Sequence, residues 1–267
     1  MKIIMWISDE PNQKALANKI HEHFPLTAIV TETRKRKLKL TVKKILEKCI
    51  EKIFLGSIGK AWFGMHKYYR DLYAQYPGVP LLNVANINSD DTYSFTKEKE
   101  PDLILVSGTS LVRRKLLSLN PSNGILNLHT GLSPYIKGGP NCTNWCISTG
   151  QFHLIGNTVM WIDEGIDSGN LLATEFTPFK GNESLAEVHL KVMEHAHDLY
   201  LRSIQYLVSG KTNNVSQNDI SQGITYFNKQ WGLQQKIRLL RNMKDFRRKI
   251  KRGYLAERKD ITTVALK

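Results

Sequence analysis

Three polar residues in two segments have the types and spacing that acyl-transfer chemistry needs. In "ILNLHTG" Asn127 and His129 stand two residues apart at the end of an apolar run, so on a β-strand their side chains share one face. An amide can donate a hydrogen bond to an oxygen that becomes anionic, and an imidazole can accept or donate a proton near neutral pH. A carboxylate that orients the imidazole would complete the set. Asp167 in "DEGIDSG" is the best candidate, and Asp163 is the competitor.

Each of these residues also has a structural interpretation. A single histidine is more often a hydrogen-bonded core residue than a catalyst, and an aspartate between glycines is a common turn residue. We favour Asp167 because Gly165 and Gly169 allow tight turns beside a ligand. We also expect its loop to follow a strand that points at the same end of the sheet as the strand carrying His129.

The apolar pattern predicts the elements that must position these residues. The predicted strands are 2–7, 26–31, 79–86, 102–110 and 124–130, a predicted hairpin pairs 157–163 with 170–177, and the predicted helices are 12–23, 38–53, 60–76 and 183–208. A β-α-β opening predicts an α/β fold with a mostly parallel, twisted, Rossmann-like sheet covered by helices on both faces. Polar residues at the carboxyl ends of such strands lie where these sheets bind ligands.

The same pattern predicts the domain organisation. Residues 1–210 form the predicted catalytic domain, with a helical insertion or an enlarged crossover at about 34–76 after the second strand. The polar run "GKTNNVSQNDISQG" after Gly210 marks a boundary. We therefore expect residues 211–267 to form a small, basic C-terminal appendage with helical character.

The 267-residue chain is strongly basic, with 38 Lys and Arg against 24 Asp and Glu and a net charge of +14. The positive charge concentrates in segments 33–52 and 234–259, which predicts attraction to nucleic acid, an acidic membrane face or a phosphorylated metabolite. Three cysteines are too few for a secreted disulfide framework, so a reducing, cytoplasmic location is expected. The apolar opening is too short for a signal peptide or a membrane span.

The segments "NLHTGLSPYIKGGPN" and "GNTVMWIDEGIDSGNLL" resemble the signature of the folate-dependent formyltransferases. The resemblance covers roughly residues 1–210 and is strongest over 102–172. It implies transfer of a formyl group from 10-formyltetrahydrofolate to a primary amine, with Asn127, His129 and Asp167 as the catalytic residues.

The resemblance also implies binding residues. The folate is expected against the backbone of two loops: Ser110, Leu111 and Val112, and Asp163, Glu164 and Gly165. We expect the acceptor to contact Lys137, Gly138, Tyr226 and Trp231, with Phe227 as a further stacking residue and Lys229 and Arg238 as phosphate partners. Aromatic residues beside a domain boundary, however, more often pack against other apolar side chains than stack on a ligand.

Departures from the family pattern guide the choice of acceptor. A glycinamide ribonucleotide enzyme is expected to carry a Gly- and Ser-rich phosphate loop after the first strand, where this chain has "SDEPNQ". The methionyl-tRNA enzymes carry an Arg-rich loop and a C-terminal β-barrel, where this chain has "SPYIKGGPN" and a helical tail. The "GLSPYIKGGPNCTNW" and "GITYFNKQW" segments are more similar to enzymes acting on dTDP-, UDP- or GDP-linked amino deoxysugars, as in lipopolysaccharide O-antigen biosynthesis.

Two rival interpretations belong to other classes. "CTNWC" near His129 and His153 could indicate a zinc site, but cysteines four apart usually lie on one buried helix face, so no metal is expected. A basic binding protein on a degenerate core would not need the three catalytic residues together. Nucleic acid is therefore not expected as the main partner, whereas an anionic membrane surface stays an alternative and a homodimer is expected only from the resemblance.

Overall fold

The computed structural model describes residues 1–34, 55–253 and 258–267. The strands within these ranges are β1 (Ile3–Ser8), β2 (Leu26–Glu32), β3 (Leu81–Val84), β4 (Leu103–Ser107), β5 (Ile125–His129), β6 (Ile136–Gly138), β7 (Gly156–Trp161), β8 (Leu171–Phe176) and β9 (Ile224–Tyr226). The α-helices there are α1 (Pro11–His23), α2 (Gly56–Leu72), α3 (Asp90–Glu98), α4 (Arg114–Leu117), α5 (Cys142–Thr149), α6 (Leu185–Val208) and α7 (Leu233–Lys251).

Seven strands form one sheet in the order β3-β2-β1-β4-β5-β7-β8. The first five of these run parallel, and β7 and β8 are antiparallel to their neighbours. This confirms the predicted mostly parallel α/β sheet. A separate parallel pair of β6 and β9 was not predicted, because each strand has only three residues.

Alternation along the buried strands explains why helices cover both faces of the sheet. Ile3, Met5 and Ile7 of β1 pack in one cluster with residues of α1 and α6, whereas Ile4 and Trp6 pack on the other face. That second face is covered by residues of α3 and α4. The buried indole N–H of Trp6 donates to Thr96 Oγ1 of α3 at 3.1 Å, which supplies the partner that a buried polar group requires.

Helix α2 is the described part of the predicted insertion 34–76. It lies in the connection between the parallel neighbours β2 and β3 and packs against α1 and α6. In this position it acts as the crossover helix of a β-α-β unit. The helix predicted over 38–53, and most of the basic segment 33–52, lies outside the described residues.

The segment beyond residue 210 packs against the rest of the molecule. Helix α7 places Leu239, Met243 and Phe246 in a core cluster, where Phe246 meets Phe152 and Phe179 edge-on at ring-centre distances of 5.6 and 5.3 Å. Burying three large apolar side chains contributes on the order of 1.5–3 kcal/mol each. The basic appendage is therefore anchored by its apolar face.

Within the described ranges, we find no helix that combines the length and apolar character needed to cross a membrane.

Candidate active site

Strand β5 carries Asn127 and His129 at its carboxyl end. Leu126 and Leu128 alternate with them and are buried in the cluster formed with α1 and α6. The two polar side chains therefore share the opposite face of the strand, as predicted, and both residues are half-buried. Burial of the leucines fixes the register of the strand and so fixes which face presents the polar groups.

The loop that carries Asp167 reaches His129 by a path that differs from the prediction. Strand β7 runs antiparallel to β5, so that Thr158 lies beside His129 and Trp161 lies beside Leu126. The end of β7 is therefore at the amino end of β5, and the expectation that the loop follows a strand pointing at the same end of the sheet is wrong. Residues 163–167 nevertheless bring Asp167 to His129 at the other end of β5.

Asp167 Oδ2 lies 3.4 Å from His129 Nδ1 and accepts a hydrogen bond from the backbone N–H of Gly138 at 3.0 Å. The two side chains are only 11% and 16% exposed, so their mutual attraction is weakly screened. Asp167 has a φ of 49°, a left-handed conformation that aspartate tolerates better than most residues. A carboxylate placed in this way can hold the imidazole with Nδ1 protonated and stabilise its cationic form.

Two buried or turn-forming residues hold this loop in place. Gln217 is buried, and its amide donates to the carbonyl oxygens of Asp167 and Gly169 at 2.8 and 2.7 Å. Asp163 accepts hydrogen bonds within the loop from Gly165 N–H and Ser168 Oγ at 3.0 and 2.7 Å. Asp163 therefore organises the turn, and Asp167 is the aspartate beside the imidazole. Gln217 had no local sequence signal, because its partners are about fifty residues away.

The amide of Asn127 has no hydrogen-bond partner among the residues that the structure describes. It shares the face of His129, so a small group lying against that face would be within reach of both side chains. An unpartnered amide beside an imidazole is suited to hold an oxygen atom that gains negative charge.

The first predicted folate loop is held by a buried carboxylate that sequence reasoning missed. Glu32, at the end of β2, is 2% exposed and accepts the backbone N–H groups of Ile87 and Ser110 at 2.9 and 2.6 Å. The Leu111 side chain is 44% exposed, whereas Val112 is buried in the core. The Val112 side chain therefore contacts the core and not a ligand.

The two predicted folate loops lie next to each other. Glu164 accepts a hydrogen bond from Arg114 Nε at 2.7 Å, which joins the second loop to the start of α4. Both side chains are exposed, so this pair contributes little stability. An added Cβ at Gly165 would overlap the Ser168 hydroxyl, so a side chain there would displace the hydroxyl that donates to Asp163.

The predicted acceptor residues are also grouped together. Lys137 and Gly138 of β6 pair with Thr225 and Tyr226 of β9, next to Asp167. Gly138 has a φ of 85°, and a Cβ on it would overlap the Tyr226 carbonyl oxygen. This close approach of two backbones requires glycine.

Two of the predicted aromatic residues, Tyr226 and Trp231, pack on the same indole, that of Trp145. Tyr226 stacks on Trp145 at a ring-centre distance of 4.1 Å, and Trp231 meets the same indole edge-on at 4.9 Å. Trp145 is buried and donates from its indole N–H to Gly139 O. The cluster thus joins the end of the 132–140 loop to segment 224–231. Phe227, Lys229 and Arg238 are exposed.

A family model described as formyl transferase matches residues 1–204. The chain belongs to the formyl transferase family. A methionyl-tRNA formyltransferase of Clostridium tetani is 30% identical over 142 residues, which are 53% of this chain and 45% of that protein. The chain thus spans about half the length of the curated relatives it matches.

Solved structures of this family share the fold over most of the chain. A sugar N-formyltransferase from a Shewanella species has a TM-score of 0.59 at 16% identity, covering 91% of this chain and 88% of its own. An N-formyltransferase of Helicobacter canadensis, solved with folinic acid and dTDP-3-aminofucose, has a TM-score of 0.56 at 12% identity, covering 91% and 81%. At such identities these similarities show the fold.

The cysteines proposed by the rival zinc interpretation are both buried on α5. Within the part of the chain that the structure describes, no group of three or more His, Cys, Asp or Glu residues is arranged to hold a metal ion.

Proposed function

We propose that this protein transfers the formyl group of 10-formyltetrahydrofolate to the primary amine of a nucleotide-linked amino deoxysugar. The observation that carries the proposal is the half-buried His129–Asp167 pair, with the Asn127 amide on the same strand face and without a hydrogen-bond partner among the described residues. Family membership supplies the reaction class. The site supplies one proton-transfer group, one orienting carboxylate and one neutral donor, which is the set that acyl transfer to an amine requires.

In the proposed reaction, Asn127 donates a hydrogen bond to the formyl oxygen as the acceptor amine attacks the formyl carbon. The new C–N bond makes this oxygen anionic, and protonated His129 provides a second donor. His129 then manages the transfer of the amine proton to the leaving nitrogen as the old C–N bond breaks. Asp167 stabilises the imidazolium throughout. Each preorganised donor of this kind can lower the barrier by about 3 kcal/mol.

The two loops beside this pair support folate as the donor. Glu32 accepts a hydrogen bond from the backbone of Ser110, and Asp163 accepts one from the backbone of Gly165, so both loops are held by internal hydrogen bonds. Backbone groups held at the carboxyl edge of an α/β sheet suit recognition of a ring with several donors and acceptors. We propose that Ser110, Leu111 and Val112, with Asp163, Glu164 and Gly165, hold the pterin.

Two observations support a nucleotide sugar over the alternative acceptors. The fold similarity to the Shewanella sugar N-formyltransferase covers 91% of this chain and 88% of that protein, whereas the sequence similarity to the methionyl-tRNA formyltransferase of C. tetani covers 53% and 45%. The turn between β1 and α1 carries Asp9 and Glu10, whose charges would repel the phosphate of a glycinamide ribonucleotide. We propose that Lys137, Gly138, Tyr226 and Trp231 line the acceptor site of a cytoplasmic enzyme.

A panel assay tests the proposal. Release of tetrahydrofolate from 10-formyltetrahydrofolate is followed with dTDP-, UDP- and GDP-linked amino sugars, glycinamide ribonucleotide and methionyl-tRNA. We expect turnover with one class of amino sugar and none in His129→Ala. Preferred turnover of methionyl-tRNA or the ribonucleotide would replace the proposed acceptor, and failure to bind folate would overturn the proposed reaction.

A further inference from the structure

The imidazole of His129 has a neighbour that the reaction above does not use. Cys142 Sγ lies 3.5 Å from His129 Nε2 and 3.4 Å from the carbonyl oxygen of Gly138. The thiol is only 2% exposed. Nε2 is the ring nitrogen that does not face Asp167, so the two nitrogens of this imidazole contact two different side chains.

Three segments create this contact. His129 ends β5, and Cys142 begins α5, where Asn141 caps the helix by accepting the N–H of Asn144 at 2.9 Å. Gly131 lies between them, and a Cβ at that position would overlap both Nε2 and the thiol. A residue without a side chain is therefore needed for sulfur and imidazole to meet.

The surroundings keep this cysteine in its thiol form. A helix N-terminus ordinarily lowers the pKa of a cysteine. Here burial, with the Asp167 carboxylate and the Cys146 thiol as smaller causes, raises the pKa of Cys142 well above its usual value. At neutral pH the residue is therefore not a thiolate nucleophile. It offers one weak S–H donor and one weak acceptor.

We propose that Cys142 is a positioning residue that holds His129 with Nδ1 protonated toward Asp167 and with Nε2 ready for the substrate. When the imidazole is neutral, the thiol donates to the Nε2 lone pair. When Nε2 carries a proton, the sulfur accepts a hydrogen bond from the Nε2–H group. The S–H group then turns to the Gly138 carbonyl by rotation about the Cβ–Sγ bond. Both protonation states thus keep a partner for Nε2, and the weak bond yields easily to a substrate group.

This inference rests on the proposed formyl transfer, and Cys146 provides a matched control for its test. Cys146 lies on the same helix, is 1% exposed, and burial raises the pKa of its thiol to about 12. The test compares Cys142→Ala, Cys142→Ser and Cys146→Ala in the full chain. The ¹⁵N signals of the His129 ring, assigned with His129→Ala, report which nitrogen carries the proton, and tetrahydrofolate release reports turnover.

We expect the wild type and Cys146→Ala to show neutral His129 protonated at Nδ1. In Cys142→Ala we expect a mixture of tautomers and a kcat lowered about two- to tenfold, the range of one net hydrogen bond, with the KM for the donor unchanged. Cys142→Ser, which retains a donor and an acceptor, should recover part of the loss. Equal tautomer signals and equal turnover in Cys142→Ala and Cys146→Ala would overturn the proposal.

The ring signals separate this proposal from the proposed function. If the wild type turns over no acceptor, the proposed function fails, but the tautomer of His129 still decides the role of Cys142. If Cys142→Ala does not fold, Cys142→Val decides, because valine fills the site but offers neither a donor nor an acceptor to Nε2. A Val variant with the same tautomer signals and turnover as Cys146→Ala would then overturn the positioning role.

Discussion

At the scale of single residues, the proposed chemistry depends on the 3.4 Å approach of Asp167 Oδ2 to His129 Nδ1. Asp167→Asn preserves the shape of the loop but cannot stabilise an imidazolium, and its amide can favour the wrong tautomer. We expect kcat to fall about 10²- to 10⁴-fold, as in other systems where an orienting aspartate is replaced by asparagine. Steady-state kinetics at saturating donor measures the effect.

Asp198→Asn is the control for that prediction, because Asp198 pairs with Arg202 on the exposed face of α6, away from His129. It should retain wild-type turnover. An Asp167→Asn enzyme within threefold of this control would mean that Asp167 only shapes the loop.

At the scale of elements, the close contact between β6 and β9 positions the backbone N–H of Gly138, which donates a hydrogen bond to Asp167. Gly138→Ala should strain a residue with a φ of 85° and push β6 from the Tyr226 carbonyl. We expect a loss of about 1–3 kcal/mol in the free energy of unfolding and a marked loss of activity. Urea denaturation and turnover measure the two effects.

Gly139→Ala is the matched neighbour, because its added Cβ would meet only the side-chain oxygen of Asn228 at 3.1 Å. A side chain can shift where a backbone cannot. If the two variants lose the same stability, the backbone contact between β6 and β9 is not what requires glycine at position 138.

Helix α6 carries a buried histidine that makes stability depend on pH. Burial lowers the pKa of His189 from 6.5 to about 4. Between these two pKa values the unfolded chain binds a proton at His189 that the folded chain does not. The contribution of neutral His189 to the free energy of unfolding is therefore complete above pH 6.5 and is lost as the pH falls toward 4. Between pH 7 and 5 we expect His189 to reduce the free energy of unfolding by about 2 kcal/mol.

His189→Gln tests this dependence, since glutamine is neutral and can still donate to Asn144 Oδ1, which His189 Nε2 approaches at 2.8 Å. Urea denaturation at pH 7 and 5 should show a smaller difference in this variant than in the wild type. His23→Gln, at the exposed end of α1, should keep the wild-type difference. An unchanged difference in His189→Gln would refute the assignment.

At the scale of the whole molecule, α7 presents a basic outer face above its buried apolar face. Exposed cations recur at helical spacing along it: Arg238, Arg241, Lys244, Arg248 and Lys251. Several of them, with Gly181 and Asn182, line an open groove of about 700 Å³. Such a rigid row of charge suits a flat anionic surface, and we expect salt-sensitive binding to phosphatidylglycerol vesicles.

Reversing three of these charges in Arg241→Glu/Lys244→Glu/Lys251→Glu should weaken vesicle binding at least about 100-fold, since each cation near such a surface contributes about 1 kcal/mol. The control reverses Lys97, Lys99 and Lys115, which lie in or next to α3 and α4. It has the same net charge as the first variant but leaves α7 unchanged. Co-sedimentation with vesicles measures binding. Equal weakening in both variants, or tighter binding to tRNA than to vesicles, would contradict a membrane-facing role for α7.

Much of this architecture follows from local sequence, but the connections within the site do not. The apolar runs around Asn127 and His129 predict β5 and the shared face of its polar residues. The path of the Asp167 loop was mispredicted, because antiparallel pairing of β7 with β5 depends on which strands become neighbours. The roles of Glu32 and Gln217 in holding the two loops do not follow from the sequence for a related reason. A buried polar residue is recognisable only from the partners that the fold brings to it.

We propose that formyl transfer by this protein depends on His129 and its Asp167 partner. The most direct test is the rate of tetrahydrofolate release at saturating 10-formyltetrahydrofolate and amino-sugar acceptor in wild type and His129→Ala, with folate affinity measured in both by calorimetry. We predict turnover in the wild type, a fall of about 10³-fold or more in the variant, and similar folate affinity in both. Wild-type turnover in His129→Ala, or no folate binding by either protein, would contradict the claim.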